Sequence, residues 1–116
     1  MKSKYGTFSP EQIQKTKREI RKQIIFLLSI ADPELKEKYT HIDVNAAFNS
    51  LLEELAGMNE LLFCPPELVI VMSLLEAALK EYNNPNFVFS RYRKLVLDAG
   101  GKVEAIREVD DESDPQ

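Results

Sequence analysis

Residues Asn59–Leu79 read NELLFCPPELVIVMSLLEAAL, and their reading decides the fold. They hold the chain's one cysteine, its one Pro-Pro pair and its densest apolar run. Four readings compete: a membrane span, a buried strand, a redox site and the core of a helical fold. Pro65, Pro66, Glu67 and Glu76 interrupt the run, which falls short of the roughly 20 apolar residues of a span. Val69, Ile70 and Val71 are β-branched and favour a strand. But Leu68, Val71, Met72, Leu75, Leu79 and Tyr82 recur at the helical period for about four turns, too long for a typical strand. Ile70, Leu74 and Ala77 make a second apolar face. A helix apolar on two faces predicts neighbours on both sides, so this third helix is expected to be central.

Upstream, Cys64-Pro65-Pro66 predicts a corner, because a residue before proline is pushed out of right-handed helical geometry. Pro66 suits a first helical position, and Glu67 suits the positive end of the helix dipole. Before the corner, Val44, Ala47, Phe48, Leu51, Leu52, Leu55, Met58 and Leu62 form one stripe, capped by Asp43. The stripe keeps its register past Gly57, so the second helix is expected to run on towards Phe63. Asp32-Pro33 stops the first helix or starts a short one.

The first helix opens at Phe8-Ser9-Pro10-Glu11-Gln12-Ile13. Ser9 and Gln12 fit a capping box, and Phe8 and Ile13 a hydrophobic staple. Ile13, Ile20, Ile24, Leu27, Leu28 and Ala31 share a face, on which Lys17 must snorkel. From Ile24 to Ala31 the helix is apolar nearly all round, which predicts cover on more than one side.

Downstream, Asn83-Asn84-Pro85-Asn86 is a loop. Phe87-Val88-Phe89-Ser90 reads either as a short extended entry with Ser90 as cap or as the immediate start of a fourth helix, which carries Phe89, Tyr92, Val96 and Ala99 on one side. Gly100-Gly101 reads as a break or a tight crossing, beyond which Val103 and Ile106 keep the register. The fold class is therefore all-α: a compact bundle of four main helices, with a possible short helix after Pro33 and a C-terminal helical extension after Gly100. Residues 1–109 read as a single helical domain and 110–116 as an acidic flexible tail. The expected core is Ile20, Ile24, Leu27, Phe48, Leu51, Leu55, Leu68, Val71, Leu75, Leu79, Tyr92 and Val96.

With 116 residues, 44% of them hydrophobic and 29% charged, the chain can bury one core without metals or disulfides. One cysteine forms no internal disulfide, so nothing points to an oxidising compartment. A basic start, then Ile24–Leu28 and Ser29-Ile30-Ala31, has the order of a secretory signal. Glu11, Glu19 and the helix-start chemistry oppose that reading, and a cytoplasmic protein of bacterial type is expected. The net charge of −4 hides an asymmetry. Residues 1–22 carry seven basic groups against Glu11 and Glu19, and residues 103–116 carry six acids against Arg107.

Catalytic chemistry is not legible. His41 is the one histidine, in an expected loop. Cys64 reads best as a small buried hydrophobe rather than a reactive thiol. Two Cys/His residues cannot make a structural zinc site. Glu53 and Glu54 point in different directions on a helix, and Gly100-Gly101 lacks the flanks of a phosphate loop. No cofactor and no catalytic or metal residue is expected.

Two basic features remain as a candidate interaction surface: Lys15, Arg18, Arg21 and Lys22 on the first helix, and Arg91, Arg93 and Lys94 on the fourth. The expectation is a non-catalytic protein acting by protein–protein interaction, in an accessory, regulatory or immunity-type role, with another protein or a second copy as partner. The alternative is nucleic-acid binding, with Phe87, Phe89 and Tyr92 stacking bases between the cations. No membrane and no small-molecule substrate is expected.

Overall fold

The computed structural model describes residues 2–3, 6–62 and 64–106. A two-residue antiparallel pairing, β1 (Lys2–Ser3) with β2 (Gly6–Thr7), precedes the helices. It was not anticipated from the sequence. The main elements are α1 (Pro10–Ala31), a 3-10 turn at Pro33–Leu35, α2 (Val44–Leu61), α3 (Pro66–Tyr82) and α4 (Phe89–Glu104). The expected acidic tail falls outside the described residues.

Local chemistry sets most of the boundaries. The Ser9 hydroxyl accepts from the Gln12 amide at 3.1 Å, and the Gln12 side chain accepts from the Ser9 amide at 2.8 Å. That is the reciprocal capping box at the start of α1. Asp32 caps the 3-10 turn through the Glu34 amide, and Asp43 caps α2 through the Ala46 amide. α2 passes Gly57 without a break. α4 passes both Gly100 and Gly101, so the extension is a continuation of that helix.

Two local expectations are corrected. Ser90 does not cap α4. Val88 is the N-cap and has no side-chain cap; its amide donates instead to Glu81 Oε1 at 3.2 Å. Cys64 is exposed rather than buried. Its amide donates to the Asn59 carbonyl at 2.8 Å, and its backbone takes a left-handed φ of 55°. The turn thus avoids right-handed geometry before Pro65 by entering a region that costs a side chain about 1–2 kcal/mol.

The helices form a ring. α3 packs against α2 on one side and α4 on the other, as its two apolar faces require, and α1 closes the ring against α2 and α4. All four helices contribute to one core. Eleven of the twelve expected core residues are buried; Leu79 is half-buried. Ile30, Ala78, Ala99, Val103 and Ile106 are buried as well. At the centre the Tyr92 ring has no exposed surface and contacts Phe48, Phe87, Phe89 and Tyr82, with centroids 5.8–6.2 Å away. Its hydroxyl donates to the Leu27 carbonyl of α1.

Burial, and after it the neighbouring Tyr82, raises the Tyr92 phenol above the ordinary tyrosine range. The folded state therefore keeps this proton after the unfolded chain, with its pKa near 10, has released it. A raised folded pKa contributes stability that is complete below the unfolded pKa and is lost as pH rises from there through the folded one. Tyr92→Phe is expected to cost about 1 kcal/mol at neutral pH in urea unfolding, and to weaken the loss of stability above pH of about 10. Gly57 and Gly101 are helical, and a Cβ on either meets nothing within 4 Å. Gly57→Ala and Gly101→Ala should each raise stability by about 0.5–1 kcal/mol in the same measurement.

Candidate interaction surface

The site is built on the pairing of α1 with α4. Arg21 Nη1 lies 2.8 Å from Glu104 Oε1. A Cβ added to Gly100 would lie 3.8 Å from Ile24 Cγ2. Lys17 does snorkel: its ammonium donates to the carbonyls of Ile106 (3.0 Å) and Glu104 (3.4 Å) at the negative end of α4. Since Lys17 and Arg21 meet residues 104–106 while Leu27 meets Tyr92, the two helices run antiparallel.

This register fixes which side chains share the outer face. Arg93, Leu97, Gly100 and Glu104 follow one another along the α4 edge that meets α1. Arg18, Arg21 and Ile25 do the same along α1, at about 100° per residue. Lys15 and Lys22, seven residues apart, lie on the flank towards α2, where Lys22 helps line the groove between α1 and α2. Lys94 lies outward of Arg93. Arg91, two residues before Arg93, falls about 200° round the helix, on the flank towards α3. The structure therefore puts Arg18, Arg21, Arg93 and Lys94 on the α1–α4 side and separates Arg91, Lys15 and Lys22 from them. All seven are exposed.

Ile25 and Leu97 lie between the two basic groups, 50% and 45% exposed. Both stand off the core stripes of their helices, which is the one signal in the sequence that marks them. Phe26, 41% exposed, lies on the other side of α1. There it makes an edge contact with Tyr39 and helps line a groove of about 330 Å³ between α1 and α2. The cover expected over the second half of α1 thus leaves Ile25 and Phe26 partly in water. The second face of α3 is likewise incomplete, with Ile70 41% exposed.

Charge is divided by layer. α1 carries Lys15, Lys17, Arg18, Arg21 and Lys22 against Glu11 and Glu19. α4 carries Arg91, Arg93, Lys94 and Lys102 against Asp98 and Glu104. α2 has Glu53, Glu54 and Glu60 and no cation, and α3 has Glu67, Glu76 and Glu81 against Lys80. The adjacent pair α1–α4 is thus five charges positive and the adjacent pair α2–α3 five charges negative. The sequence shows each charge, but only the ring order shows that like helices are neighbours.

The aromatics offered for base stacking are engaged elsewhere. Tyr92 is buried, and Phe89 stacks on it with an interplanar angle of 28°. Phe87 is half-buried and packs edge-on to Tyr82 and Tyr92. His41 is exposed in the turn before α2. Among the described residues, no three of His, Cys, Asp and Glu converge as a metal site, and no helix is long and apolar enough to cross a membrane. The chain matches no known family model, no curated protein and no solved structure.

The Arg21–Glu104 pair is about half exposed on both sides, so a double-mutant cycle should give about 0.2–1 kcal/mol, falling with added salt. Because Cys64 is exposed, native protein should react with iodoacetamide as readily as unfolded protein. Cys64→Val should cost about 1 kcal/mol or more in urea unfolding, because a β-branched side chain tolerates a left-handed backbone poorly, and Cys64→Gly should not.

Proposed function

We infer that this protein is a non-catalytic interaction module whose working surface is the outer face of α1 and α4. The observation that carries this reading is the exposure of Ile25 and Leu97 on this side, with Arg18 towards one end of the seam and Arg93 and Lys94 towards the other. An apolar centre with a charged rim is the anatomy of a protein-binding patch. The rim sets the partner's chemistry: an acidic polypeptide with an apolar stripe, such as an amphipathic helix laid along the α1–α4 seam.

The overall charge of −4 does not oppose this. The helical body is about 19–23 Å across, while exposed charges are screened over about 8–10 Å at physiological salt. A partner on the α1–α4 face therefore meets the local positive field rather than the net charge. The same cations would attract the phosphates of a nucleic acid. The enclosed Phe89 and Tyr92 rings, which offer bases no stacking platform, favour protein over nucleic acid.

The test is fluorescence anisotropy with two labelled probes at low salt: a helical peptide bearing Leu on one face and Glu on the other, and a single-stranded oligonucleotide. The peptide should bind, and Arg18→Glu with Arg93→Glu should weaken it at least tenfold. Leu97→Ser should weaken it without changing its salt dependence. Binding of the oligonucleotide alone would replace the protein reading with the nucleic-acid one. Binding of neither would remove the surface from consideration.

A further inference from the structure

We propose that the partner of the α1–α4 face is a second copy of this chain, docked through its acidic α2–α3 face, so that copies stack front to back. The proposal rests on the reading above that the α1–α4 face binds protein.

Three observations carry it. The first is complementarity: the positive layer and the negative layer have equal and opposite charge, and both belong to the same molecule. Glu53, Glu54, Glu60 and Glu76 of the negative layer are all exposed. The second is that this face also has unpartnered apolar surface. Val69, 44% exposed, lies in the first turn of α3 on the side towards α2. It can oppose Ile25 and Leu97 of the next copy. The third is size. Helices of 16–22 residues run about 24–33 Å, so a two-helix face across a body 19–23 Å wide is of the order of the ~800 Å² that each partner contributes to a standard interface.

For contacts through these two faces the charge division also decides the symmetry. A two-fold dimer sets a patch against itself, which here would bring Arg18 and Arg93 onto Arg18 and Arg93, or Glu53 onto Glu53. Both arrangements repel. Front-to-back contact joins unlike faces and leaves one of each free, so assembly continues beyond a pair. Ion pairs dominate such a contact, so it weakens as salt rises.

Sedimentation velocity tests this on the full chain. At low salt the wild-type mass should rise with concentration past the dimer, and fall to the monomer at high salt. Arg18→Glu with Arg93→Glu takes the α1–α4 pair from +5 to +1 and leaves the acidic face intact; Glu53→Lys with Glu76→Lys takes the α2–α3 pair from −5 to −1 and leaves the basic face intact. Each variant alone should be monomeric, with circular dichroism confirming its fold, and a mixture of the two should associate again. A wild-type monomer at millimolar concentration and low salt overturns the proposal, as does a mixture that stays monomeric. If that monomer still binds the acidic peptide, self-association fails while the protein-binding face stands; if it binds neither, both fail.

Discussion

The hydroxyl of Tyr92 sits where no water reaches it, and a buried hydroxyl without a partner is costly. It finds that partner in the backbone of α1, at Leu27. One contact of this kind helps set the height of α4 against α1, because a slide of a fraction of a helical turn would carry the hydroxyl off that carbonyl. Everything along the seam follows from that height. Gly100 comes opposite Ile24, and the small residue permits the approach. Arg21 comes opposite Glu104, and Lys17 reaches the open carbonyls at the end of α4. The same register brings Leu97 within a turn of the level of Ile25 and puts Arg93 near the C-terminal end of α1. The surface with the best claim to function is thus held in place by an aromatic residue with no exposure of its own.

The charge layout is not the one that stability alone would choose. In a ring of four helices, alternating signs would put attraction at every seam. Here the order along the chain is basic, acidic, acidic, basic, so two seams join unlike helices and two join like ones. The repulsion at the α1–α4 seam is relieved locally by Arg21–Glu104 and by Lys17 on the α4 carbonyls. Like charges side by side add little to folding, but they concentrate potential on one face, which governs encounter with a partner and its orientation.

Helix number, type and most boundaries were legible because each depends on neighbours in sequence. Ser9 with Gln12, Asp32, Asp43 and Pro66 act within a turn of their own position. The core stripes were legible for the same reason, since period alone places Phe48, Leu51 and Leu55 together. What escaped depends on partners distant in the chain. Val88 starts α4 because Glu81 binds its amide, a pairing that no local pattern announces. Ile30 and Ala78 are buried by the approach of other helices. The split between Arg91 and Arg93 needs the identity of the neighbour on each flank. The candidate residues were therefore readable one by one, but their grouping was not.

The seam that carries the basic surface joins residues as far apart as Arg21 and Glu104, 83 positions along the chain. α3 and α4, by contrast, are joined by a short loop and share the most extensive contact in the ring. Contacts between distant segments incur the larger loop-closure entropy and tend to form after local ones. The order of assembly follows: the α3–α4 hairpin is the early unit, and α1 docks onto it late. Residues 10–31 and 89–104 are each basic, yet neither displays the patch alone. The proposed face thus comes into being only when the helical body closes, so binding to it would report that the fold is finished.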